Sequence, residues 1–421
     1  MRPKLYALVA MMLSVVLSSL DAQENWPRFR GPNGSGISGI ETIPTEWNQG
    51  NFHWKFDLPG EGNSSPVVWD RQVFVTSADA EGGKRYLYAL DVATGRQNWK
   101  HEFPFTKYKR HKNNSFASST PAVDELYVYT IWRSAEGSSV VALTHSGETS
   151  WTYDLGPWTQ GQGGASSPIA YREWIFIAND HREGSALLAL DRKTGKEIWR
   201  IPREGKRACF TTPCVYSPPN GSPEIIFTHC YEGIIGVDPA TGLQKWHIDV
   251  FGRHSQRAVG SPVIYEELVI GSSGAAGGKR NVVAVRPLTE TKTEEKNILS
   301  AEEEYRVFKS SPHVPTPIVY QNRLYLWEDK GVVSAHNART GELIWRLRVG
   351  GTYFASPIVV NDRLFNLDVT GKVFVISLKG EPEVLAENQM PEGGKATLAA
   401  AAGMLFVRTD SALYAIGESL Q

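Results

Sequence analysis

Short apolar runs of strand length recur along the whole chain. They begin at Gln72 (QVFVTS), Glu125 (ELYVYTIW), Glu173 (EWIFIA), Glu224 (EIIFTH), Glu267 (ELVIGS), Arg323 (RLYLWE), Arg363 (RLFNLD) and Gly403 (GMLFVR). Each is rich in β-branched and aromatic residues, the composition of strands. The runs do not alternate cleanly between apolar and polar, so both faces must be covered, as when sheets stack face to face. No 3.6-residue period accompanies them, which excludes a helical solenoid.

A second marker precedes each run: small residues ahead of a proline. It falls at Pro66, Pro121, Pro168, Pro213, Pro262, Pro317 and Pro357, and a copy without proline starts at Ala396 (ATLAAAAG). The prolines are 40 to 55 residues apart, the length of a four-stranded propeller blade. After the run comes a third strand, then an eleven-residue frame, A-x-D-x-x-T-G-x-x-x-W. The frame is complete at Ala89–Trp99 and Ala189–Trp199. It carries Gly236 for the Ala at Gly236–Trp246, Asn337 for the Asp at Ala335–Trp345, and is shortened at Ala142–Trp151.

These pieces order each repeat as four strands. The marker run is strand A, nearest the axis, where strands crowd and small residues fit. Its inner edge has no partner, so proline costs no ladder bond there. The apolar run is strand B and the third strand is C. The Asp caps the C–D turn by accepting from nearby backbone N–H groups, and the Gly supplies positive φ. Strand D carries a Trp able to bury a large area against the next blade. Trp54, Trp99, Trp151, Trp199, Trp246 and Trp345 are therefore read as inter-blade staples rather than ligand contacts.

A-B-C sets begin near residues 64, 118, 165, 211, 260, 315, 355 and 396, which makes eight. D segments follow seven, ending at Trp99, Trp151, Trp199, Trp246, Tyr305, Trp345 and near Val384–Leu385. The spare D strand is at the front, FHWKFDL around Trp54. The chain is predicted to be all-β: an eight-bladed β-propeller of four-stranded antiparallel blades. It closes by pairing the N-terminal outer strand, Phe52–Leu58, with the C-terminal strands, which removes open sheet edges.

The frame and the marker resemble the PQQ-like (pyrroloquinoline quinone repeat) β-propeller family over essentially the whole chain after the leader. WPRFRGPNGSGIS, from Trp26, and KYKRHKNNSFASSTPAVD, from Lys107, are similar to exported PQQ-repeat propellers of planctomycete-type bacteria. The resemblance implies two kinds of relative. Quinoprotein dehydrogenases carry a tryptophan-docking motif like this frame, whereas the propeller subunit of the outer-membrane barrel-assembly machinery binds proteins and no quinone.

The first residues read as a secretory signal: Arg2 and Lys4, an apolar run from Leu5 to Leu20, then Ala22. The expected organisation is a signal peptide over 1–22, an N-terminal extension over 23–51, the propeller over 52–417 and a tail over 418–421. That predicts an exported protein, periplasmic or extracellular, without a membrane span. The net charge of −1 gives no global pull toward nucleic acid. A monomer is expected. Cys209, Cys214 and Cys230 allow three pairings and leave one thiol over. They lack CxxC-type spacing, and no histidine sits at a zinc-finger offset, so no metal ligands are assigned. GSGISG from Gly34 fits G-x-G-x-x-G but follows no strand and opens no helix, so it is read as a loop. The charged insert TETKTEEKNILSAEEE from Thr289 is placed between strands C and D of blade 5.

D-to-A and B-to-C loops gather around the axis at one face, and they are basic here. Lys109, Arg110, His111 and Asn114 come from the longest, joined by Arg207, Arg253, His254, Arg257, His313, Tyr353 and Lys395. So many like charges point to an anion or an acidic partner at the channel mouth. No catalytic residue is assigned. A quinoprotein dehydrogenase needs an acidic Ca²⁺ site and an Asp base, and the resemblance implies adjacent cysteines for it; this chain has basic loops and no adjacent pair. The expectation is a non-catalytic binding or scaffold propeller of the cell envelope, with no cofactor. Its partner would be an exported or envelope protein, or an anionic small molecule or glycan. A PQQ- and Ca²⁺-dependent alcohol or sugar dehydrogenase is the alternative.

Overall fold

A computed structural model describes residues 25–205, 207–252, 257–275, 278–294 and 297–417. The expected leader and tail lie outside them. The apolar runs do form strands, and the strands assemble into eight sheets, each of four antiparallel strands in A-B-C-D order. Blade 1 comprises Val67–Trp69, Gln72–Asp79, Lys84–Asp91 and Gln97–Pro104. Blades 2 to 7 span residues 122–156, 169–202, 214–248, 263–307, 318–348 and 358–389. Blade 8 takes Ala399–Ala401, Met404–Arg408 and Ala412–Gly417 from the C-terminus and its D strand, Phe52–Asp57, from the front. The ring therefore closes as the repeat count predicts, with Trp54 opposite Ala415. The insert lengthens strands C and D of blade 5 to Arg280–Glu294 and Asn297–Val307.

The eleven-residue frame is a turn and a staple. Asp91 Oδ1 accepts from the backbone and hydroxyl of Thr94 at 2.9 and 2.8 Å, and Asp191 and Asp238 repeat this with Thr194 and Thr241. Indole N–H groups cross to the next blade's turn: Trp54 to Val92, Trp99 to His145, Trp151 to Arg192 and Trp199 to Pro239, at 2.7 to 2.9 Å. Gly95 lies under the Trp54 ring with φ 68°; a Cβ there would sit 2.5 Å from it. Trp246 faces the long hairpin of blade 5, which lacks the turn, and donates to Glu224 within its own sheet at 2.5 Å. Tyr305 replaces the Trp in blade 5 and donates to Ala338 of blade 6 at 2.8 Å.

Every blade also carries a one-residue bulge between strands C and D. In blade 1 Ala89 faces Trp99 and Leu90 faces Gln97, leaving Asn98 unpaired. The same skip recurs at Ser150, Ile198, Lys245, Glu304, Ile344, Leu385 and His53. A bulge raises local twist, and it sets the aromatic residue against the frame's Ala or its equivalent. Gly236 shows the space required: a Cβ there would lie 2.1 Å from Trp246 Nε1.

The residue before each proline has a role beyond smallness. At Thr120, Ser167, Ser261, Thr316 and Ser356, and at Thr397 in the copy without proline, the hydroxyl accepts the backbone N–H of the equivalent residue one blade back. Ser65 N–H donates to Thr120, Thr120 to Ser167, Thr212 to Ser261, Ser261 to Thr316, Thr316 to Ser356 and Ser356 to Thr397, all at 2.9 to 3.0 Å. Inner strands have no ladder partner on the axial side, so these bonds satisfy buried donors and zip blade to blade.

The N-terminal extension crosses the channel. Trp26 exchanges two backbone bonds with Val68 of blade 1, and Pro27 accepts from Val123 of blade 2. The Asn33 side chain pairs both ways with Val215 of blade 4 at 2.8 Å. Ile37–Ser38 then adds a parallel fifth strand to Ile358–Val360 of blade 7, and Ser38 donates to Ala400 of blade 8. The glycine-rich stretch read as a loop is thus partly a strand seated on the innermost edge. Arg28 and Arg30 are buried in this crossing. Arg28 Nη2 donates to the Pro213 carbonyl at 2.5 Å, and Arg30 donates to the carbonyls of Gly34 and Pro357. Gly36, at φ 76°, makes room for the Arg30 guanidinium, 2.5 Å from where a Cβ would stand. Burial pushes Arg28 down to about 10 and Arg30 to about 9.

Candidate functional site

Above the crossing segment the channel opens into a cavity of about 560 Å³. Phe29 contributes to its lining from the crossing segment. The hydroxyl-bearing residues Thr120, Ser167, Thr212, Thr316, Ser356 and Thr397 line it from the inner strands. Around them stand His111, Asn114, Arg257, Arg280, His313, Lys330 and Lys395, with Tyr353 and Phe354. Asp329 is the single carboxylate among the described lining residues, against four Lys and Arg. Its charge is already engaged: it accepts from Arg280 Nη1 at 3.0 Å, from His313 N–H at 2.7 Å and from Val314 N–H at 3.3 Å. Among the described residues Arg257, Lys330 and Lys395 make no ion pair.

Three lining residues hold polar atoms without a partner among the described residues: Gln162 Oε1, His313 Nε2 and the Tyr353 hydroxyl. Tyr353 is fully buried, and burial pushes its phenol further up, which leaves it a neutral donor. Burial, then the Arg280 and Arg257 charges, hold the His313 imidazole below its ordinary value against the opposing pull of Asp329. Apart from Asp329 and the Gln162 carbonyl oxygen, the charged and unpartnered groups are cations and neutral donors, which receive an anion.

The loop residues expected at the mouth divide. His111, Asn114, Arg257, His313, Tyr353 and Lys395 line the cavity. Arg110 braces its own loop instead: it pairs with Glu61, donates to the Asn114 carbonyl and lies 4.6 Å over the Phe116 ring. Lys109 is exposed and runs beside Gly161, and Arg207 is half-buried and does not line the cavity. Arg253 and His254 lie outside the described residues. Arg280 and Lys330 were missed, though both sit by B-to-C connections, so reading those loops as closely as the D-to-A loops would find them. Phe29 carried no such signal.

The three cysteines separate as well. Cys209 Sγ and Cys230 Sγ are 3.2 Å apart beside His229. Cys214 is buried in a different cluster, with Tyr216 and Trp246. Where the spacing gave no metal ligands, the fold gathers three donor side chains.

The family model described as the outer membrane protein assembly factor BamB matches residues 44–109, 83–320 and 307–383. The chain belongs to the BamB family of PQQ-type propellers. Its fold is similar to BamB from Moraxella catarrhalis, with a TM-score of 0.60 at 12% identity over 86% of this chain and 96% of that one. It is also similar to the quinohemoprotein alcohol dehydrogenase from Comamonas testosteroni, with a TM-score of 0.64 at 13% identity over 96% and 82%. In sequence, a polyvinylalcohol dehydrogenase from Pseudomonas sp is 29% identical over 161 residues, 35% of this chain. That match covers 24% of the dehydrogenase's length. Among the described residues of this BamB-family chain, no helix is long and apolar enough to cross a membrane.

Proposed function

We propose that this BamB-family chain is an exported, non-catalytic binding propeller of the cell envelope. Its channel mouth receives an anion, either a small anionic molecule or glycan or an acidic segment of an envelope protein. The observation that carries the reading is the cavity above the crossing segment, where four cationic side chains face one carboxylate that is already engaged. Cations converging on a low-dielectric concavity repel each other until an anion joins them. The apolar leader supports export.

The quinone reading fits less well. Ca²⁺ takes six to eight oxygen ligands, several of them carboxylates, and among the described lining residues Asp329, already engaged, is the one carboxylate. The residues present do not suit a calcium–quinone pair, and no catalytic step is built on one.

Isothermal titration of the purified protein with citrate, a glutamate-rich peptide and an uncharged sugar, at two salt concentrations, tests the proposal. Salt-sensitive binding of the anions alone, weakened tenfold or more in Lys395→Gln, is expected. Failure of all three to bind overturns the anion site. Dye reduction with alcohols after adding PQQ and Ca²⁺ overturns the non-catalytic reading.

A further inference from the structure

We propose that Cys209, His229 and Cys230 form a binding site for one soft cation, monovalent copper. Cys209 precedes strand A of blade 4, and His229 and Cys230 close strand B of the same sheet. The three side chains are fully buried, and their donor atoms lie within 4.8 Å of one another. Two sulfurs and an imidazole are a soft donor set, which selects Cu(I) or zinc over the hard cations.

The surroundings have the features of a metal shell. His229 Nε2 is 3.3 Å from the Arg207 carbonyl, and donating there fixes the ring; Nδ1 accepts the Tyr231 backbone N–H at 3.3 Å, a contact that the cation replaces on loading. The Cys230 backbone N–H points at Cys209 Sγ at 3.3 Å, the donor a thiolate sulfur needs. Ala258 and Tyr231 pack around the pair and keep water out.

Coordination number decides between the two soft cations. Structural zinc wants four tetrahedral ligands, and the described residues gather three. Glu232 Oε1, 4.0 Å from His229 Nδ1, is committed to the Glu204 N–H, and Oε2 to Arg203. Three-coordinate Cu(I) needs no fourth donor. Loading releases two thiol protons to solvent and leaves one net negative charge; the Arg257 and Arg207 guanidiniums act on Cys230 in its favour and the buried Asp180 carboxylate against it. The sulfurs must part slightly, since metal–sulfur bonds of about 2.3 Å at a trigonal centre hold them about 4 Å apart. They are also close enough that an oxidant could couple them, so the site exists only in the reduced protein.

The test uses the whole reduced protein under anaerobic conditions, titrated with Cu(I) buffered by bicinchoninate, and with Zn(II) in a parallel arm. One copper per chain is expected, with an X-ray absorption shell of two sulfurs and one nitrogen. Cys209→Ser and Cys230→Ser each lower affinity at least a hundredfold, and Cys214→Ser leaves it unchanged. Zinc that displaces copper, an equal loss in Cys214→Ser, or uptake that survives oxidation to a Cys209–Cys230 disulfide overturns the assignment. Where a serine variant does not fold, the absorption shell of the unmodified protein stands alone: fewer than two sulfurs overturns it.

Discussion

At the residue scale the cavity turns on which charges are free. Arg110 is spent on Glu61 and on its own loop, so Arg110→Gln should lower stability and leave anion affinity within about twofold. Arg257→Gln should weaken the same ligand tenfold or more, and titration of both variants separates the roles. His313 adds a pH dependence. Its imidazole titrates below about 6.5 in the free protein because burial, Arg280 and Arg257 disfavour its charge. An anion beside it favours the charged form, so binding takes up a proton and affinity rises as pH falls through that range. In His313→Gln the rise should flatten; an unchanged slope removes His313 from the site. Six of the eleven residues expected at the mouth line the cavity, because loop position in a propeller follows from strand count alone. Arg110 could not be sorted, because the acid that occupies it, Glu61, stands 49 residues away on another loop.

At the element scale, the strands and turns were legible because their causes are local. A β-branched run, an Asp-Thr-Gly turn and a small residue before proline each act within a few residues. What joins the elements was only half visible. The pre-proline Ser and Thr were read as small residues at a crowded axis, whereas the hydroxyl itself carries the blade-to-blade bond. The C–D bulge left no mark beyond the Ala, or Gly236 in blade 4, that stands opposite each Trp. The hydroxyl reading makes a paired prediction. Thr316→Val keeps the volume but strips the acceptor from the buried Ser261 N–H, which should cost about 1–3 kcal/mol. Ser65 holds the same position in blade 1, yet its Oγ is buried without a partner among the described residues. Ser65→Ala should be neutral or slightly stabilising. Urea denaturation of the two variants reads the difference, and equal costs would return the serines and threonines to mere space-filling.

At the scale of the whole molecule, two N-terminal segments do different jobs, and truncation can tell them apart. Residues 25–48 cross the axis and contribute Phe29 to the cavity lining. They bury two guanidiniums whose hydrogen-bond acceptors among the described residues are carbonyls of the crossing and of blades 4 and 7. That crossing was not legible, since its contacts are to backbone carbonyls as far as 327 residues away, and no side-chain pattern announces them. Residues Phe52–Asp57 close the ring against Ala412–Gly417. A chain lacking 25–48 keeps every blade, so it should stay folded and monomeric with a lower melting temperature. Its anion affinity should fall with the loss of Phe29 and both buried cations. A chain lacking 25–58 leaves Ala412–Gly417 as an unpaired edge, which invites another strand; it should associate or precipitate. Light scattering after size exclusion, with thermal melts alongside, decides the matter. Association of the shorter truncation, or a monomeric longer one, would mean that the ring is held by something other than its shared eighth sheet.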